Sequence, residues 1–531
     1  MLISPTSRHS HSFHAALAAS LVVIGITTSC RAQPVAPDVL LSTRADPAAA
    51  AISPLLRGSQ FNFFNGPIKE RRNNEALLGE WKNARVSALR YPGGTWGDHY
   101  VWDHPENSYF VANATAKTII TPAEFIAMCR KIGAEPIFQA NALVRGKAAN
   151  NWINPTKIEN IREGAHWTAE WVRQANEING WNVKYWEIGN ELWIMYRPQE
   201  YATALTEYSK AMKAVDPSIK IIACGLSSAV GPFKLEWFNF KDDPNWKPRL
   251  ANSNDAASWN KALFTLAQGH FDYIAPHPYI DVKGLQDSRQ IYLQSTVQIW
   301  EQAGLKSQYE FLRQYQSPAK VAVTEWATNF SYSVSAQGGL KLPMYFYSQA
   351  NGVNAAHYMG QIVSGEPNEI AVLHSLDEVQ TLWFWPKKAM SDKPLPHPIY
   401  LAYKLWNTHL GTRRAISTVT KQPTLKIGDK SYPATFTCAS EDEKNVYLMA
   451  INLDPDAPHR FQWQPQDVRT AGRGVLSLMA GPALDADNWA TWNQDAHIVD
   501  IRDSDIVANT GTFSFELPAY SVAGITVARV P

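Results

Sequence analysis

Two glutamates stand at the ends of short apolar runs. The first closes Lys184-Tyr-Trp-Glu-Ile-Gly-Asn-Glu-Leu-Trp193, where the run gives way to Gly189, Asn190 and Glu191. The second closes Val321-Ala-Val-Thr-Glu-Trp326, a β-branched run that delivers Glu325. A pair of carboxyl groups brought to one place suits glycosidic bond hydrolysis. One acid protonates the leaving oxygen, while the other carboxylate either attacks the anomeric carbon or activates a water. A gap of about 5 to 5.5 Å leads to retention through a covalent intermediate, and one of about 6.5 to 9.5 Å to inversion. Either motif alone is better explained by capping after a strand. Their occurrence together at matching strand ends favours chemistry.

Further polar residues follow other apolar runs. Arg90 lies in Leu89-Arg-Tyr-Pro-Gly-Gly-Thr-Trp-Gly-Asp98. A guanidinium beside a carboxylate keeps it ionised and oriented, as a nucleophile requires, although the same pairing serves a structural ion pair. His277 and Tyr279 lie in Ala275-Pro-His-Pro-Tyr279, where Tyr279 is placed to donate to a carboxylate. His277 either contacts sugar or acid or is a satisfied structural group. Asn141 and Gln361 are candidate donors to sugar hydroxyls. Trp96, Trp102, Trp193 and Trp326 adjoin the motifs and either stack on a sugar face or pack in the core. The cysteines are isolated, HExxH is absent and the histidines lack ligand spacing, so neither a metal nor a cofactor is expected.

Groups that meet from distant parts of a chain need a scaffold. Between residues 56 and 412, short apolar runs alternate with longer helical patterns, the signature of parallel βα units. The strand candidates are Gln60 to Phe64, Val86 to Tyr91, Pro136 to Ala140, Lys184 to Ile188, Ile219 to Ala223, Tyr273 to Pro276, Val321 to Thr324 and Ala355 to Met359. Helices are expected over Pro122 to Ile132 and Ile161 to Glu177. Eight such strands predict an α/β fold of the (β/α)₈, or TIM-barrel, type, whose reacting groups sit at the carboxyl ends of the strands. An open doubly wound sheet is disfavoured because no GxGxxG follows the first strand. After the helical segment Leu395 to Leu410, residues 413–531 turn to short alternating strands such as Asn445 to Asn452 and Thr512 to Leu517. They read as a C-terminal antiparallel β-sandwich. Residues 33–55 are expected to join that sandwich.

The chain has 531 residues, with 45% hydrophobic and 18% charged, which rules out disorder. Its 49 basic and 48 acidic side chains leave no basic stripe for phosphates, so nucleic acid is not an expected partner. Aromatic content is high, with 20 Trp, 21 Tyr and 20 Phe, enough for a core and a sugar-binding groove together. Residues 1–32 read as an export signal: Arg8 precedes an apolar stretch from Ala15 to Ile26, with cleavage expected after Ala32. That stretch is too short for a permanent span, and no other run of eighteen apolar residues occurs. The expected location is therefore periplasmic or secreted. A lipoprotein through Cys30 is disfavoured because the usual leucine three residues earlier is missing.

Taken together, Asn190-Glu191, Glu325, Arg90 of the Arg-Tyr-Pro-Gly-Gly run and His277-x-Tyr279 resemble the clan A glycoside hydrolases, which are retaining (β/α)₈ enzymes. Within the clan the chain most resembles the family 51 α-L-arabinofuranosidases. Ile52-Ser-Pro-x-Leu-x-Gly58, Leu478-Met-Ala-Gly-Pro-Ala-Leu-Asp-Ala-Asp-Asn488 and Leu517-Pro-Ala-Tyr-Ser-Val522 resemble further stretches of that family. The resemblance implies Glu191 as acid/base, Glu325 as nucleophile and Asn190 as a holder of the sugar's 2-hydroxyl. Three departures fall where specificity is set. Phe61-Asn-Phe-Phe-Asn65 lacks the family's sugar-binding Glu, Thr95 follows the glycines instead of Asn, and Thr324 precedes Glu325 instead of Asp. The expected function is an exported retaining exo-glycosidase acting on polysaccharide or oligosaccharide, foremost an α-L-arabinofuranosidase. Open alternatives are β-xylosidase, galactofuranosidase, β-glucuronidase, an endo-glycanase, or a polysaccharide-binding protein without activity.

Overall fold

The computed structural model describes residues 36–530 except 47, 50, 62–73, 109–119, 144–152, 228–254, 281, 283–284, 286, 329–344, 346, 366, 375–381, 384–393 and 492–495. Strand β1 (Val39–Ala45) precedes the barrel. Eight parallel strands then close on one another in chain order: β2 (Gly58–Gln60), β3 (Ala88–Tyr91), β4 (Glu135–Ala140), β5 (Tyr185–Ile188), β6 (Lys220–Cys224), β7 (Tyr273–Ala275), β8 (Lys320–Trp326) and β9 (Asn368–Leu373). The expected (β/α)₈ barrel is present. Among the described residues no helix is long and apolar enough to cross a membrane.

Side chains alternate along a strand, so every second residue enters the barrel. Ala88, Ile137, Tyr185, Ile222, Tyr273, Ala322 and Ile370 form one apolar cluster inside it, stoppered by Leu55. Two positions further toward the carboxyl ends, the same faces carry Arg90, Gln139, Glu187, Cys224 and Thr324, all buried. The barrel interior thus changes from an apolar floor to a polar layer beneath the strand ends. The outward residues pack under the helices: Tyr91 stacks on Phe125 with centroids 4.6 Å apart, and Phe138 meets Trp186 at 5.3 Å.

The helix expected over Pro122 to Ile132 is observed as Pro122–Ile132. Thr121 and Glu124 cap each other's backbone reciprocally, Pro122 occupies the first turn, and Gly133 ends the helix in the left-handed conformation. The second expected helix runs Ile158–Val172 and continues as a wider π turn, Arg173–Ile178.

The first strand, Gly58–Gln60, meets the expected Gln60 to Phe64 at Gln60 alone, with Asn62 to Phe64 outside the described residues, and the eighth assignment fails. Ala355 to Met359 is not the eighth strand but the middle of a helix, Gln349–Ser364, and the eighth strand is β9. This helix is buried on every side from Gln349 to Val363, so it carries no polar face to reveal its period. It packs between the barrel and the C-terminal sheet. Gly360 is its close-approach point, since a Cβ there would stand 2.4 Å from the Phe436 ring and 3.0 Å from Trp406. Gly360→Ala is therefore expected to destabilise the protein by about 1–3 kcal/mol through overpacking, read as a lower melting temperature.

The C-terminal domain is β-rich as expected, with a refinement. Among the described residues nine strands form a sheet closed on itself, in the order β1, Arg413–Lys421, Thr435–Glu441, Asn445–Asn452, Ser521–Arg529, Thr470–Ala480, Asp500–Asn509, Thr512–Leu517 and His459–Gln466, and Thr424–Ile427 pairs with Lys430–Pro433 apart from it. β1 pairs antiparallel with Arg413–Lys421 and parallel with His459–Gln466, and so fills a gap that would otherwise leave two open edges. Phe461, Trp463, Phe513, Leu448 and Ile525 are among its core.

Candidate active site

Arg90 is the penultimate residue of β3, and the turn that follows is shaped by glycine. Gly93 has φ +74°, and a Cβ there would lie 2.6 Å from the Gln60 side chain, so neither the conformation nor the space admits another residue without strain. β5 ends at Ile188, and Gly189, with φ +72°, opens the turn that presents Asn190 and Glu191 over the barrel mouth. In β8 the pairing with β9 shifts register between Val323 and Trp326. An irregularity of this kind re-aims side chains at the end of a strand, here Glu325.

Arg90 is the centre of the arrangement. Its Nε donates to Glu187 Oε2 at 2.5 Å, Nη1 to Gln60 Oε1 at 2.6 Å and to Glu325 Oε2 at 3.0 Å, and Nη2 to Asn190 Oδ1 at 2.7 Å. The Tyr279 hydroxyl donates to the other oxygen of Glu325. His277 Nδ1 lies 3.1 Å from Glu191 Oε1 and 3.8 Å from Glu325 Oε2. Ligand atoms of Glu191, His277 and Glu325 all lie within 4.8 Å of one another. Those three could offer atoms to a cation, but Glu325 already accepts from a guanidinium and a phenol, which would set positive charge against an incoming ion.

The electrostatics hold Glu325 ionised. Burial favours the neutral form of Glu325, but His374 at 3.7 Å, His277, Arg90 and the Tyr279 hydrogen bond outweigh it and pull the group down to about 2. Glu325 is thus an ionised carboxylate, while Glu191 is less enclosed, its side chain 22% exposed, and faces His277. Burial would lower His277, but Glu325, Glu187 and Glu191 together raise it to about 9. Burial pushes Asp98 up to about 8, although Asn190 N–H and Gln139 Nε2 both donate to its Oδ1.

Of the residues singled out in the sequence, Arg90, Asn190, Glu191, His277, Tyr279 and Glu325 meet here. Others do not. Gln361 sits inside the buried helix and accepts from Gln302 at 3.2 Å, because the segment before it is not a strand. Trp326 is 2% exposed and packs edge-on against Tyr358, so it is core and has no face for a sugar. Asn141 donates to the Tyr100 carbonyl and accepts from Leu143 N–H, which fixes the loop after β4. Trp102 stacks on Trp171 at 5.9 Å. The side chain of Trp96 and the stretch Asn62 to Asn65 lie outside the described residues.

Four participants went unremarked: Gln60, Asp98, Glu187 and His374. Glu187 had a readable signal. A carboxylate inside Tyr185-Trp-Glu-Ile188, a run buried on both faces, requires a buried partner. The pairing of His374 with Glu325 depends on correct placement of β9, which the sequence pattern concealed.

An eight-stranded parallel barrel thus carries two carboxyl groups, those of Glu191 and Glu325, over the carboxyl ends of its strands. Residues 80–261 match the model of the alpha-L-arabinofuranosidase 1 domain family. The chain is 28% identical over 185 residues to alpha-L-arabinofuranosidase C of Emericella nidulans, covering 31% of this chain and 34% of that protein. To the intracellular exo-alpha-(1->5)-L-arabinofuranosidase of Halalkalibacterium halodurans it is 27% identical over 209 residues, 37% of each chain. The chain thus spans about a third of the length of the curated relatives it matches. The fold extends much further: the crystal structure of the GH51 arabinofuranosidase from Xanthomonas axonopodis pv. citri superposes with a TM-score of 0.70 at 17% identity, covering 93% of this chain and all of that one.

Proposed function

We propose that the protein is a retaining, exo-acting α-L-arabinofuranosidase that is exported and removes arabinofuranosyl groups by double displacement. The observation that carries this reading is the carboxylate pair, with an oxygen of Glu191 within 4.8 Å of one of Glu325, near the separation of about 5–5.5 Å that suits a covalent intermediate. Arg90 and Tyr279 support Glu325 as the nucleophile because they hold it ionised and aimed. Glu191 protonates the leaving oxygen as Glu325 bonds to the anomeric carbon, and then takes a proton from the water that releases the sugar. Asn190 supports this cycle as well: its oxygen accepts from Arg90, which leaves its amide N–H₂ to donate to a sugar hydroxyl. The substrate comes from the similarity to arabinofuranosidases, and export from the N-terminal Arg8 and Ala15 to Ile26 pattern of this chain.

A panel of nitrophenyl glycosides, furanosides and pyranosides together, tests it. The expected result is preferential release from α-L-arabinofuranoside, with the first-formed sugar of retained configuration by proton NMR. Preference for a β-xyloside, galactofuranoside or β-glucuronide would overturn the substrate, and a first product of inverted configuration would overturn the mechanism.

A further inference from the structure

Beneath the two reacting carboxylates lies a third that the hydrolytic cycle leaves without a task. Glu187 is 1% exposed, and its oxygens face different partners. Oε2 pairs with Arg90, while Oε1 accepts the Thr324 hydroxyl at 2.5 Å. Thr324 Oγ1 in turn stands 3.0 Å from His277 Nε2, and the far side of that ring meets Glu191. His277 Nε2 and Glu187 Oε1 are 3.9 Å apart, too far for a direct hydrogen bond, so the hydroxyl bridges them.

The direction of this chain follows from counting protons. A hydroxyl has one proton to give, and an ionised carboxylate only accepts. The Thr324 proton therefore points to Glu187, and Thr324 Oγ1 must accept from His277. Nε2 carries a hydrogen in both charge states of the ring, which leaves Nδ1 alone to exchange a proton with Glu191.

We propose that Glu187 and Thr324 are positioning residues for the acid/base step: they lock the Nε2–H form of His277, so that His277 Nδ1 and Glu191 Oε1 hold one exchangeable proton between them. With the ring charged, Nδ1–H donates to the Glu191 carboxylate; with the ring neutral, Nδ1 accepts from the Glu191 carboxylic acid. When the leaving oxygen takes the proton from Glu191, two acceptors are left facing each other at about the 3.1 Å seen here. Their repulsion favours recovery of a proton from the attacking water, whose O–H bond breaks as its oxygen bonds to the anomeric carbon and the bond from that carbon to Glu325 breaks, returning Glu325 as a carboxylate. The groups facing His277 are Glu187 and Glu191 from β5 and its following turn, and Thr324 and Glu325 from β8. Arg90 from β3 neutralises part of that charge, and His374 after β9 stands beside Glu325.

The inference rests on the proposed hydrolysis only for its kinetic consequence; the ring's hydrogen placement is measured without substrate. Imidazole nitrogen NMR on protein carrying ¹⁵N-labelled histidine, with the His277 signal identified by its loss in His277→Gln, reads both nitrogens. Wild type and Thr324→Ser should keep Nε2 protonated throughout a titration in which only Nδ1 changes. Thr324→Val should mix the two tautomers and lower the ring's midpoint by roughly one pH unit, because the hydrogen bond that is lost is stronger from the charged ring than from the neutral one. The alkaline limb of kcat/KM should move down with it in Thr324→Val and return in Thr324→Ser. Unchanged tautomer and unchanged limb in a folded Thr324→Val protein would overturn the proposal. Failure of every glycoside in the panel would overturn the function while leaving the NMR result readable.

Discussion

Glu325→Gln is expected to abolish turnover while leaving the protein folded. The amide is nearly the size of the carboxylate and keeps an oxygen that can accept from Tyr279 or Arg90, so packing around it is largely preserved. What disappears is the proposed nucleophile. Without it the glycosyl intermediate of the proposed double displacement cannot form, and losses for removing an attacking group run on the order of 10⁴-fold or more in kcat. Arg90 keeps Glu187 as its counter-charge, so melting should change far less than activity. Assay on the aryl glycoside that the wild type hydrolyses best, with melting recorded in parallel, separates the two effects. Activity within tenfold of wild type would remove Glu325 from the mechanism. The pH response carries a second signature. Glu325 is depressed in the folded state to about 2, so it contributes stability above its unfolded pKa of about 4.3, and that contribution is lost as pH falls through the interval between them. Glu325→Gln should lack this component of acid sensitivity.

What was legible from residues alone divides along physical lines. Strands such as Val321 to Thr324 announced themselves because they are buried on both faces and rich in β-branched residues, and the helix at Pro122–Ile132 carried its own caps. Arg90, Glu191, His277, Tyr279 and Glu325 were legible because barrel chemistry concentrates at strand ends, which apolar runs mark. The buried helix Gln349–Ser364 was not legible as a helix, since uniform burial erases the alternation that distinguishes it from a strand. That one error propagated: Gln361 was placed at the barrel mouth, and His374, which follows the true eighth strand, was overlooked. Trp326 misled for a different reason. Its neighbour Glu325 turns into the site across a register shift, and the ring takes the opposite face of the strand and packs on Tyr358. The network of Arg90, Glu187 and Thr324 depends on side chains meeting across three strands, and no spacing within one segment encodes that.

Arg90 also supports the fold, and its removal should cost more stability than any other single change at the site. The guanidinium is fully buried and paired with two carboxylates, Glu187 and Glu325, which are 1% and 7% exposed at the side chain. Arg90→Met preserves length and apolar volume but leaves Glu187 with no cation in hydrogen-bonding contact, since His277 reaches it only through Thr324. Breaking a buried pair from one side costs about 3–5 kcal/mol, because the surviving charge stays desolvated. At ~2 °C per kcal/mol for a large domain, melting should fall by roughly 6 to 10 °C. The sign of the pH dependence discriminates between lost charge pairing and lost packing. In the wild type, Glu187 is held below the ordinary range because Arg90, His277 and Thr324 outweigh its burial. Without Arg90, burial prevails and the folded pKa rises above the unfolded one. The deficit should therefore be largest at neutral pH and should shrink as pH falls through the raised pKa of Glu187, where the group takes up a proton in the folded protein. A packing defect would persist at every pH. Adding Glu187→Gln to Arg90→Met removes the stranded charge, so the double variant should be more stable than Arg90→Met alone, with a coupling of roughly 0.5–3 kcal/mol in the double-mutant cycle. A double variant no more stable than the single one would show that Arg90 supports the barrel through its stem and through Gln60 and Asn190 instead of through charge.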